Sequence, residues 1–113
     1  MKSTILKDTQ RYVSSFDSKN LSDVTDFFVS NSSLFDPGNP DGVHGKEDIV
    51  KMISQLFDDI KELKFEAKDI FCDEEKLTSI IEFKITLDGK ELKGADIIKW
   101  QDSKILELRA YLY

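Results

Sequence analysis

From residue 63 to residue 113 the hydropathy pattern repeats every two residues, and short polar breaks divide it into four segments. Side chains on a strand alternate between faces, so a period of two marks extended chain with one buried face. The segments span residues 63–72, 77–87, 90–101 and 104–113, parted by turns at 73–76, 88–89 and 102–103. Asp88-Gly89 between two alternating runs is a strong hairpin signal. Four strands with such short turns form an antiparallel meander, and its apolar face needs a cover.

The first half supplies that cover. Ile5, Leu6, Thr9, Tyr12, Val13 and Phe16 recur with a helical period, with Ser3 as the expected cap. Asn20 is expected to cap a second helix that carries Leu21, Val24, Phe27 and Phe28 on one face. Residues 33–36 read as a short strand, and the run Pro37-Gly38-Asn39-Pro40-Asp41-Gly42 as a loop. A third helix follows Gly45, with Glu47 and Asp48 in its first turn and a stripe of Ile49, Met52, Ile53, Leu56, Phe57 and Ile60. Helices segregated over an antiparallel sheet define an α+β fold, and 113 residues have room for one domain spanning 1–113.

Composition narrows the partners. A net charge of −6 argues against nucleic acid, which demands a basic face. No run approaches the ~20 apolar residues of a membrane span, and charges at Lys2, Lys7 and Asp8 leave no room for a signal-peptide core. The single cysteine, Cys72, excludes an intramolecular disulfide, so a cytoplasmic location is expected. Cys72 reads as a small apolar filler and His44, before a helix start, as a loop or capping residue; one histidine without clustered cysteines builds no metal site.

One residue breaks the pattern. On the third strand of the meander Leu92, Gly94, Asp96, Ile98 and Trp100 share the apolar face, so Asp96 is expected to be buried. An ionised carboxylate there must pair with a cation or take up a proton, and no Lys or Arg shares that face of the strand. Asp96 is then either a neutral acid able to donate a hydrogen bond or a structural acceptor. Tyr12 lies on the apolar stripe of the first helix, where its hydroxyl needs a partner. A phenol and a neutral acid converging on one point would make an oxyanion hole. Asp36, before Pro37, is either turn chemistry or a base beside a pocket mouth.

The runs Arg11-Tyr12-Val13, Leu34-Phe35-Asp36-Pro37-Gly38 and Val43-His44-Gly45-Lys46-Glu47-Asp48-Ile49 resemble bacterial ketosteroid isomerase and the SnoaL-like group of the NTF2-like superfamily. Ala95-Asp96-Ile97-Ile98-Lys99-Trp100, Lys104-Ile105 and Arg109-Ala110-Tyr111 continue the likeness over nearly the whole chain. The resemblance implies a cone: a curved, mostly antiparallel sheet against three helices around an apolar pocket. It implies proton transfer α to a carbonyl on a small hydrophobic substrate, without a cofactor, in a homodimer built through the open sheet face. Asp36 would be the base, and Tyr12 with Asp96 would hold the enolate oxygen. Phe28, Phe83, Trp100, Leu108, Ala110 and Leu112 would line the pocket. Phe28 and Ile53 stand where the isomerase has tyrosines bonded to its catalytic tyrosine. A SnoaL-like cyclase or dehydratase would use the same groups, and a non-catalytic ligand-binding or dimeric module would keep only the pocket.

Overall fold

The computed structural model describes residues 4–113. In chain order these form α1 (Ile5–Asp17), α2 (Leu21–Asp26), β1 (Phe28–Asp36), β2 (Asn39–His44), α3 (Lys46–Asp59), β3 (Leu63–Asp73), β4 (Thr78–Leu87), β5 (Lys90–Gln101) and β6 (Lys104–Leu112). The strands build one sheet in the order β2-β1-β6-β5-β4-β3. β1 runs parallel to β6, while the other neighbours are antiparallel. Register slips at Lys68 on β3, between Ala67 and Asp69, and at Leu106 on β6, opposite the Lys99-Trp100 step, are bulges, which bend the strands and curve the sheet. α1 packs against β3 and β4, and α3 against β1 and β2.

The meander follows the alternation expected of it. On β5, Gly94, Asp96, Ile98 and Trp100 are buried, while Glu91, Lys93, Lys99 and Gln101 are exposed. Ile98 pairs with Ser79 on one side and Leu108 on the other, so the inner face continues across β4 and β6. The core joins that face to Tyr12, Phe16, Val24, Ile49, Ile53 and Phe57 of the helices.

The first half departs from expectation in several places. Ser3, the expected cap, lies outside the described residues; the Lys7 amide donates to the Thr4 hydroxyl instead, at 3.3 Å. α2 stops at Asp26, and Phe28 opens β1 rather than extending the helix. A helix of six residues is marginal by itself, and pairing with β6 satisfies the backbone that a longer helix would have used. The expected loop at 37–42 is mostly strand: the chain turns at Pro37-Gly38, and Asn39 to His44 return along β1. Pro40 is tolerated because β2 is an edge strand, where a missing N–H costs no ladder bond. Cys72 is exposed, not a filler.

A buried polar chain fixes α1 on the sheet. The Thr9 hydroxyl lies 2.6 Å from the Ile5 carbonyl and 2.8 Å from Ser79 Oγ. A carbonyl only accepts, so Thr9 donates to Ile5 and Ser79 donates to Thr9. Trp100 Nε1–H completes the series by donating to Ser79 Oγ at 2.8 Å. Ser79→Ala strands the buried indole N–H and should cost about 2 kcal/mol in urea denaturation. Adding Trp100→Phe to Ser79→Ala should cost less than the two single changes summed, because both partners are then gone.

Candidate active site

Between α1, α3 and the inner face of the sheet lies an apolar cavity of about 200 Å³. Its depth is formed by the buried Tyr12, Phe16, Leu34, Ile53, Phe65, Phe83, Asp96 and Leu108. The less buried Asp36, Pro37, Met52, Leu56, Leu92 and Leu112 surround its mouth. Tyr12, Asp36 and Asp96 come from a helix, a strand end and a strand centre, and all three border this one space.

Asp96 is 6% exposed, and among the described residues no hydrogen bond or ion pair reaches its carboxyl. Burial alone raises its pKa from 3.8 to about 7. The acid is thus largely protonated below neutrality, with an O–H bordering the cavity. Tyr12 is 3% exposed and has no hydrogen-bond partner among the described residues. Its pKa is raised well above 10, first by burial and then by the negative charge of Asp96. Tyr12 therefore stays a neutral phenol, a donor rather than a base. Its ring is held edge-on to Phe27 at 5.7 Å, and Phe27 in turn meets Trp100 edge-on at 6.2 Å.

Asp36 differs from both. It is half-buried at the end of β1, and its Oδ1 accepts from Asn39 Nδ2 at 3.0 Å across the Pro37-Gly38 turn. Asn39 is the one side-chain tether of this carboxylate among the described residues, and Asp36 borders the cavity. Two donors in the depth and one acceptor at the rim are the elements of proton transfer on a ligand whose oxygen is buried first.

Of the residues expected to line a pocket, Phe83, Leu108, Ala110 and Leu112 border the cavity. Phe28 and Trp100 do not, which corrects that expectation. Phe28 is 1% exposed at the start of β1, opposite Ile105, and Trp100 is turned toward Ser79 and Phe27. Phe16, Phe65, Met52 and Leu56 were not singled out as lining residues. Their stripes in the sequence mark a buried face, but a stripe cannot tell packed core from cavity wall. His44 also takes a structural place: Nδ1 lies 2.9 Å from Ser33 Oγ and Nε2 3.0 Å from the Asp41 carbonyl.

Two roomier hollows have other chemistry. One, of about 330 Å³, lies among Arg11, Asp23, Asp26 and Lys104, but Arg11 is paired with Asp8 and Lys104 with Asp26. The other, of about 480 Å³, opens on the outer side of the sheet beside Phe35, Arg109 and Tyr111.

A family model for the SnoaL-like domain matches residues 9–108. The chain belongs to the SnoaL-like family. A search among curated proteins finds no match. Among solved structures, this SnoaL-like chain is similar to an NTF2-like protein of unknown function from Cytophaga hutchinsonii. The two superpose with a TM-score of 0.83 at 12% identity, over 100% of this chain and 93% of that one. A candidate ketosteroid isomerase from Kribbella flavida superposes with a TM-score of 0.82 at 9% identity, over 95% and 76% of the two chains. A de novo designed protein with a curved β-sheet reaches 0.77 at 16% identity, over 96% and 84%. At these identities the likeness is one of fold, and a designed protein sharing it underlines that function resides in the site. Among the described residues no helix is long and apolar enough to cross a membrane.

The raised pKa of Asp96 predicts a pH dependence of stability. Below pH 3.8 the group is neutral in both states, and its burial costs nothing by ionisation. As pH rises to about 7 the unfolded chain releases this proton and the folded chain keeps it. Stability should therefore fall across that window, with this group contributing a slope of about 1.4 kcal/mol per pH unit. Asp96→Asn should remove this part of the slope, as read by urea denaturation at a series of pH values.

Proposed function

We propose that this SnoaL-like protein catalyses proton transfer α to a carbonyl on a small hydrophobic ligand, as an isomerase of the ketosteroid isomerase type. A SnoaL-like cyclase or dehydratase would draw on the same groups. The observation that carries the reading is the unpaired acid Asp96, which shares an apolar cavity with the phenol of Tyr12 and the carboxylate of Asp36.

In a β,γ-unsaturated ketone the carbonyl oxygen accepts hydrogen bonds from the Tyr12 hydroxyl and the protonated Asp96. The Asp36 carboxylate removes the proton between the carbonyl and the double bond, and the electron pair moves onto oxygen to form a dienolate. The two donors stabilise that charge in surroundings that exclude water, where hydrogen bonds gain strength. The dienolate then takes the same proton from Asp36 at the γ carbon, which gives the conjugated enone and regenerates the carboxylate. Both donors are neutral and cost nothing to bring beside an oxygen, whereas an ionised Asp96 would repel the dienolate.

A non-catalytic binding role is the second reading. It is favoured by Phe28 and Ile53, which offer Tyr12 no hydroxyl partner. Turnover separates the two. Conversion of at least one β,γ-unsaturated ketone, in a series of one to four rings, to its enone, followed by ultraviolet absorbance, should be measurable. Asp36→Asn should lower kcat/KM by about 10²–10⁴ and Asp96→Leu by about 10²–10³. Conversion that is absent for every ketone, or indifferent to Asp36, sinks the isomerase reading. The rate should also decline above pH 7 as Asp96 ionises.

A homodimer through the open sheet face, in the cytoplasm, completes the proposal. What supports the dimer is a row on the outer face in which Phe35, Arg109, Ile97, Ile80 and Phe71 are successive register neighbours. Phe71, 53% exposed, ends this mostly apolar row, and a contiguous apolar strip, unlike a single exposed side chain, is a feature of interaction surfaces. Light scattering should give twice the chain mass for the parent and the single chain mass for Ile97→Glu. A monomeric parent would refute the dimer.

A further inference from the structure

We infer that the cavity selects a compact ligand, a single-ring or short-chain ketone with one oxygen and otherwise hydrocarbon, disfavours two fused rings and excludes larger fused frameworks. This rests on the proposed reading for where the oxygen sits, and on the cavity itself for the size limit.

Volume sets the limit. The space measures about 200 Å³. An enclosed apolar cavity of roughly 150 Å³ admits benzene, and sites for drug-sized ligands start near 300 Å³. One ring with a few substituents fills the cavity, and fused rings would have to protrude through the mouth.

The walls are poorly placed to recede. Phe16 meets both Phe57 and Phe65 with ring centroids 5.1 Å apart, and Phe65 meets Phe83 at the same 5.1 Å. Phe65 and Phe83 stand on paired strands and Phe16 on the helix that Thr9 ties to Ser79, so widening the space means moving the helix off the sheet. A packed interior resists such shifts.

Polarity sets the composition. In the depth only Tyr12 and Asp96 offer polar side-chain atoms, and Asp36 is the remaining charged group at the rim. A second oxygen placed against Phe65, Ile53 or Phe83 would lose its water and gain no partner, which is costly. With Tyr12 and Asp96 engaged by the first oxygen, a further hydroxyl finds no side-chain partner in the depth.

Binding and turnover test this together. Phenol, 2-naphthol and a four-ring phenolic steroid serve as non-reacting mimics of the enolate and are titrated calorimetrically into the full chain. Phenol should bind best, 2-naphthol about tenfold more weakly, and the steroid without measurable heat. Phe83→Ala should reverse the order of the first two; Met52→Ala, at the less buried rim, serves where Phe83→Ala fails to fold. The order of turnover among cyclohex-3-enone and its two- and four-ring counterparts should match. Affinity rising with ring number in the parent overturns the size limit and leaves the proposed reaction standing. Binding in the expected order without conversion of any ketone removes the reaction and keeps the size limit. No binding of any phenol, as of Asp96→Leu by design, overturns both.

Discussion

A carboxylic acid on the inner face of a sheet, with no cation beside it, is the constraint from which the rest of this site takes its meaning. Asp96 replaces what would otherwise be an aliphatic residue between Gly94 and Ile98, at a position that water scarcely reaches. Low polarity disfavours its ionised form and pushes its pKa to about 7, so the group is a hydrogen-bond donor over much of the ordinary pH range. An amide would also donate there, but it could not release a proton or respond to pH. The same burial that destabilises the carboxylate keeps the Tyr12 phenol neutral, and each would be harder to ionise if the other were charged.

The surrounding architecture keeps this arrangement from collapsing. Helix α1 brings Tyr12 over the sheet and is anchored three residues earlier, where Thr9, Ser79 and Trp100 share hydrogen bonds. Since residues three apart lie on one face of a helix, the bond at Thr9 also determines how deep Tyr12 sits. Bulges on β3 and β6 curve the sheet, and the curve creates a hollow where flat strands would have packed directly onto the helices. Phe16, Phe65 and Phe83 then form a wall of touching rings beside the two donors. Asp36 stands apart at the rim, at the end of β1, tied to Asn39 across the turn into β2.

Much of this was legible in the sequence because it depends on local periodicity. The alternation on β5 requires Asp96 to face inward, and the helical period of α1 requires the same of Tyr12. The passage from β1 through β2 was less legible. Two prolines and two glycines in six residues read as loop, yet an edge strand tolerates proline on its unpaired side, and edge position is decided by strand order. Phe28 and Trp100 were credible as lining residues for the same kind of reason. An aromatic on an inner face can border a cavity or pack into solid core, and the pattern is identical in both cases.

By itself, then, the order of amino acids determined the elements, the buried faces, and the presence of one acid and one phenol on those faces. These follow from the angular repeat of strand and helix, which acts within a few residues. The tertiary structure alone decided that Tyr12, Asp36 and Asp96 border a common space, how large that space is, and which aromatic rings enclose it. Those facts depend on strand order, bulge position and the depth of α1 over the sheet, and all three arise from contacts between residues tens of positions apart.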